Sequence, residues 1–147
     1  MKNKKVMIPL IALVLVGLVA KFVLAKPAPE GEQKIHGSVY VLPKEFLLNL
    51  SDGRYAKLNV ALVLAPGQSS APAGGGEAAA EPPEGFGTLE QEAAVRDVVT
   101  DVVTDKGGDE LISADGRKRI KREILAGIRT RTDVKVNDVL LPDVAVQ

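Results

Sequence analysis

The longest apolar run comes first. Val6 to Ala20 carry no charge, and after Lys21 the residues Phe22 to Ala25 are apolar again. As a helix, the stretch 6–25 would be about 30 Å long, the thickness of a bilayer's hydrocarbon core. Val6, Leu10, Leu15, Leu18 and Phe22 are the candidate anchoring residues of this span. Lys21 lies about one turn from the far end, where its ammonium can snorkel to the headgroups. Lys2, Lys4 and Lys5 precede the run and predict that residues 1–5 stay in the cytoplasm, with everything after Lys26 on the other side. A cleaved signal peptide is the alternative: the uninterrupted part has the length of an h-region, and Val23-Leu24-Ala25 would serve as a small-residue cleavage site. Both readings export the bulk of the chain.

Residues 26–37 are polar and contain Pro and Gly with no hydrophobic period, as a flexible stalk would be. A folded domain is expected over 38–147. It opens with Ser38 to Leu50, β-branched and aromatic but broken by Pro43, which predicts an edge, a bulge or two short strands. Ser51-Asp52-Gly53-Arg54 is turn chemistry, since Asp-Gly supplies the positive-φ positions of a tight hairpin. From Tyr55 to Leu64 the residues Leu58, Val60, Leu62 and Leu64 alternate with Lys57, Asn59, Ala61 and Val63, a half-buried strand that turns fully apolar at its end. Residues 65–87 are rich in Ala, Pro and Gly and read as a mobile loop inserted in the domain, because the hairpin before them is too small to stand alone.

Two helices follow. Thr88 and Gln91 have the spacing of a capping box, and Leu89, Val95, Val98, Val99, Val102 and Val103 then form one apolar stripe that Gly107-Gly108 ends. A second helix is expected from Ser113 to Ile128, with Ile120, Ile124 and Ile128 on one face and Lys118, Arg119 and Arg122 across from them. The valine-rich tail Val134 to Gln147 reads as a strand interrupted at Pro142. The fold class is thus α/β in the α+β sense: antiparallel strands covered by two amphipathic helices.

Chemistry is sparse. There is one histidine, His36 in the stalk, and no cysteine, so neither a thiolate metal site nor a disulfide framework is available. A Ser-His-Asp triad would have to use the same His36, with nothing resembling a nucleophile elbow. Gly74-Gly75-Gly76 lacks the Lys-Ser/Thr that a phosphate loop requires. Asp97, Asp101 and Asp105 share one helix face and could pair for acid–base work, but a solvated face opposite the valines explains them more simply. No catalytic residue, metal ligand or cofactor-binding residue is therefore assigned. Lys plus Arg and Asp plus Glu balance at 19 each, so no global field steers the chain to a polyanion.

The distribution of charge is less even. Glu77 to Glu110 hold ten carboxylates against Arg96 and Lys106, whereas Arg117 to Arg131 hold seven basic residues against Glu123 alone. Within the second region, Arg117, Lys118, Arg119, Lys121 and Arg122 are the candidate partner-contact residues. Nucleic acid is not expected, because an exported domain does not meet it and no aromatic residues interleave for stacking. A plain solvated face or a surface for an acidic partner or anionic headgroups both remain. Opposite poles on one small body suit head-to-tail packing between identical copies, which closes into a ring where the rotation allows.

In order and spacing these pieces resemble the FliL family of flagellar basal-body-associated proteins. The resemblance is carried by the Asn49-Leu50 to Tyr55 turn, Val95-Arg96-Asp97, the stretch from Glu110-Leu111 to Gly116-Arg117, and the terminal Val146-Gln147. It implies a retained single-pass anchor in the bacterial inner membrane and a periplasmic domain similar to the stomatin (SPFH) fold. It also implies non-enzymatic support of stator units of the MotA/MotB type, with the basal-body MS ring and further copies of the chain as other partners. The insert at 65–87 is longer and richer in Pro and Gly than the short connection usual in the family. A periplasmic, membrane-anchored binding or assembly module of another envelope complex is the alternative.

Overall fold

The computed structural model describes residues 34–70 and 83–147. The expected membrane span, the stalk up to residue 33 and the middle of the insert lie outside the described residues. Among the described residues no helix is long and apolar enough to cross a membrane.

Among the described residues four strands and three helices follow one another: β1 (Val39–Val41), β2 (Phe46–Asn49), β3 (Tyr55–Leu64), α1 (Glu92–Thr104), α2 (Gly108–Ile112), α3 (Ala114–Arg131) and β4 (Val136–Val146). All pairings are antiparallel and all involve β3. Strands β1 and β2 run end to end along one side of it and β4 along the other. The expected mixed architecture, an antiparallel sheet with helices on it, is the one observed.

Both prolines act as anticipated. Leu42 donates to the Val60 carbonyl, and pairing resumes at Phe46 opposite Leu58, so Pro43, Lys44 and Glu45 oppose Asn59 alone. That interruption divides one edge strand into β1 and β2, since proline has no N–H to continue a ladder. On β4 the register passes from Asn59 opposite Asp143 to Ala61 opposite Leu140, leaving Leu141 and Pro142 as a bulge against Val60. The Asp-Gly turn forms too, with Gly53 at φ 82° and Leu50 donating to Arg54.

The core lies between β3 and the helices. Leu58, Val60, Leu62 and Leu64 interdigitate with Val95, Val98, Val99 and Val103 of α1 and with Ile120, Ile124 and Ile128 of α3, all buried. The i, i+4, i+8 isoleucines give α3 a single narrow stripe, and aliphatic side chains buried this fully contribute about 1.5–3 kcal/mol each. Ala61 and Val63 are buried as well, although they face away from the helices. Their cross-strand neighbours, Val41 and Leu140 for one and Val39 and Asp138 for the other, shelter them.

Two local expectations fail. The capping box at Thr88 does not form: α1 starts after Gln91, which has left-handed backbone at φ 59° and makes no side-chain cap. These side chains are used to close the base of the insert instead. The Thr88 hydroxyl donates to the Ser70 carbonyl, and Gln91 exchanges two hydrogen bonds with Asp133, at 2.9 and 3.0 Å. The second difference is α2, a short helix where only a connection was expected, followed directly by Ser113, whose hydroxyl accepts from Gly116 and caps α3.

Replacing a β3 core residue should be costly and replacing an exposed strand residue should not. Leu62→Ala is expected to lower unfolding free energy by about 2–5 kcal/mol. Leu47→Ala, 71% exposed, should stay within about 0.5 kcal/mol. Urea titration of residues 34–147 followed by circular dichroism measures both.

Candidate partner-contact surface

The turn after β2 is fastened to the α1–α2 junction by a group of charges. Asp52 accepts from Arg54 Nη2 at 2.7 Å and Nε at 3.0 Å, and from the Gly108 amide at 2.8 Å. Arg54 continues to Asp109 at 2.8 Å, and the Ser51 amide donates to the Lys106 carbonyl. A Cβ at Gly108 would lie 2.6 Å from the Arg54 guanidinium carbon, so only glycine allows this approach. Arg54 and the Gly108 N–H together hold the Asp52 carboxyl down at about 2, below its ordinary 3.8. The same bonds to Asp52 and Asp109 raise the Arg54 guanidinium further above its usual range.

A second polar group is enclosed. Glu92, 3% exposed, accepts from the Tyr40 hydroxyl at 2.6 Å and the Gly87 amide at 2.9 Å. Burial, and next the bond to Glu92, push the Tyr40 phenol up. Arg96 stands over the Phe46 ring at 4.3 Å and the Phe86 ring at 5.7 Å and donates to the Lys44 carbonyl. That position holds it 4.0 Å from the other Glu92 oxygen, which has no hydrogen-bond partner among the described residues. The group joins β1, the end of the insert and α1.

The basic run on α3 divides between inward and outward roles. Arg117 turns back and donates to the carbonyls of Leu111 and Ile112, bracing the α2–α3 corner. Arg119 pairs with Glu110, and Lys118 lies 3.8 Å from Asp115. Lys121 and Arg122 have no carboxylate partner among the described residues. The acidic row of α1 is likewise engaged, with Asp97 and Asp101 both holding Arg131, while Glu123 of α3 takes Lys106 at 2.7 Å. The two charged regions thus meet at Arg119 with Glu110 and at Arg131 with Asp97 and Asp101. The surface left for another molecule narrows to Lys118, Lys121 and Arg122.

His36 is exposed ahead of β1. Among the described residues no group of three His, Asp or Glu side chains could hold a metal ion. What the fold presents is a small α+β body whose polar side chains mostly hold its own parts together. The chain belongs to the FliL family: the family model of the flagellar basal body-associated protein FliL matches residues 39–147. No curated protein matches the chain. The segments that carry the resemblance are those that lock the body. They are the turn with Asp52 and Arg54, Arg96 over its two rings with Asp97 on Arg131, Glu110 with Arg119, and Gln147, which exchanges two 2.9 Å bonds with Tyr55. Sequence reasoning did not find Glu92 as a buried anchor or Arg131 as the clamp on α1; both partners are distant in the chain, and no local pattern marks them.

Because the Asp52 carboxyl is depressed in the folded state, its contribution is fully present above about pH 4 and is lost as pH falls through about 2. Asp52→Asn should therefore lower the melting temperature at neutral pH and lose less stability than the parent between pH 4 and 2. Parallel acid-limb slopes in the two proteins would contradict this role.

Proposed function

We propose that this protein is a non-enzymatic accessory of the flagellar motor, held in the inner membrane by the span at 6–25 with residues 1–5 in the cytoplasm and the domain in the periplasm. The observation that carries the proposal is the family match across the whole folded body, together with the structural use of the segments that define the resemblance. In this reading the domain adopts a stomatin-like role: several copies form a ring or arc around the stator units, beside the MS ring, and support torque generation by contact. Lys118, Lys121 and Arg122 are the side chains placed to meet acidic groups of such partners. The intrachain pairs of Arg119, Arg131 and Lys106 engage those cations within the body.

Deletion of the gene is expected to leave cells flagellated but impaired in swimming and more so in swarming, where load is high. The charge reversal Lys118→Glu/Lys121→Glu/Arg122→Glu should reproduce that defect without lowering the melting temperature of the isolated domain, because none of the three holds the fold. Normal swarming of the deletion strain would refute the motor assignment. Normal swarming of the triple variant alone would refute this face as the contact.

A further inference from the structure

Among the described residues the helices cover one face of the sheet and leave the other bare. Residues opposite each other in an antiparallel ladder point to the same side. The register therefore places Val39 and Asp138 beside Val63 on the bare face, Val41 and Leu140 beside Ala61, and Asp143 beside Asn59. Further along, Leu47 stands beside Lys57. The solvated face of an antiparallel sheet is ordinarily polar, yet here Val39, Val41 and Leu47 are 47%, 55% and 71% exposed. Its charges do not balance. Lys57 is taken by Glu45 at 2.9 Å, whereas Asp138 and Asp143 have no ion-pair partner among the described residues. These two carboxylates stand about 13 Å apart along β4, with Leu140 between them. The opposite surplus lies on the solvent side of α3. Lys121 and Arg122 have no carboxylate partner among the described residues, and Lys118 has only Asp115, 3.8 Å away and 97% exposed.

We propose that the bare sheet face receives α3 of a second copy of the chain, with Lys118, Lys121 and Arg122 of one copy meeting Asp138 and Asp143 of the next. The inference rests on the reading of those three cations as a contact surface, and it names the acidic groups they meet. Lysine and arginine stems are apolar up to their heads, so they lie across Val39, Val41 and Leu140 while the charged ends reach the carboxylates on either side. Lys118 and Arg122 are one helical turn apart and splay to serve both. An acidic patch alone would take any cation. The apolar row between two acids selects cations borne on long apolar stems, which is what α3 offers. The two patches differ and belong to opposite layers of the body, so the contact is head to tail. Each bound copy keeps one unused patch of each kind at the ends of the assembly, and copies add in one direction until the rotation closes them.

The chain has no cysteine, so crosslinking sites can be introduced singly. The test places Val41→Cys on the bare face, Ala114→Cys one turn before Lys118, or both, in the full-length chain in the cells that carry it, and adds a short bismaleimide. The double-cysteine chain should give a ladder of multimers, a mixture of the two single-cysteine chains a dimer, and either single-cysteine chain alone no adduct. Asp138→Lys/Asp143→Lys should cut the ladder about tenfold, because attractive pairs become repulsive ones. Adding Lys118→Glu/Lys121→Glu/Arg122→Glu to that variant should restore the ladder, a rescue that misfolding cannot produce. If the double aspartate variant fails to fold, Asp143→Lys alone serves, since Asp143 makes no hydrogen bond among the described residues. Absence of a ladder, adducts only to other proteins, a dimer from one single-cysteine chain alone, or no rescue would each overturn the proposal. The motor assignment fails separately: a ladder in cells whose deletion strain swarms normally upholds the contact and refutes the motor role, and impaired swarming without a ladder does the reverse.

Discussion

Everything in this body is organised on β3. Among the described residues every other strand pairs with it, and its last five residues, Val60 to Leu64, are buried on both faces. A backbone in that position has no water to turn to, so each of its amides and carbonyls must be answered by a neighbouring strand. The neighbours are poor strands by themselves, one broken at Pro43 and the other bulged at Pro142, and they keep their places because β3 dictates their register. Helices α1 and α3 then have one apolar surface to cover, and they cover it with valine and isoleucine. With so few aromatic residues, close packing of aliphatic side chains is what the sheet and the helices offer each other.

Charge plays a second, more local part. Exposed ion pairs contribute little individually, and most of those present here are exposed. Their arrangement matters more than their sum. Asp52, Arg54 and Asp109 tie the hairpin to the α1–α2 corner, while Asp97 and Asp101 grip Arg131 at the far end of α3. The result is a body fastened at both ends of its helical layer, with a few cations left over on α3.

Much of this was legible along the chain. The alternation in Tyr55–Leu64, the Asp-Gly turn, the break at Pro43 and the isoleucine stripe of α3 all follow from local periodicity and turn chemistry, and all appear in the structure. What escaped has a common cause. Thr88 and Gln91 have the residues of a cap, but the tertiary task of closing the insert's base outweighs one capping bond. The basic run looked like a uniform surface because sequence spacing cannot show that Arg117 folds back on α2 or that Glu110 lies within reach of Arg119.

The organising role of β3 has a direct measurement in amide hydrogen exchange of residues 34–147. If β3 is the strand on which the body depends, the amides of Val60 to Leu64 should exchange only through global unfolding, more slowly than those of β1 or of β4 beyond its bulge. Exchange in β3 as fast as in β1, with α1 and α3 still protected, would show that the helices hold together without it and would contradict this account.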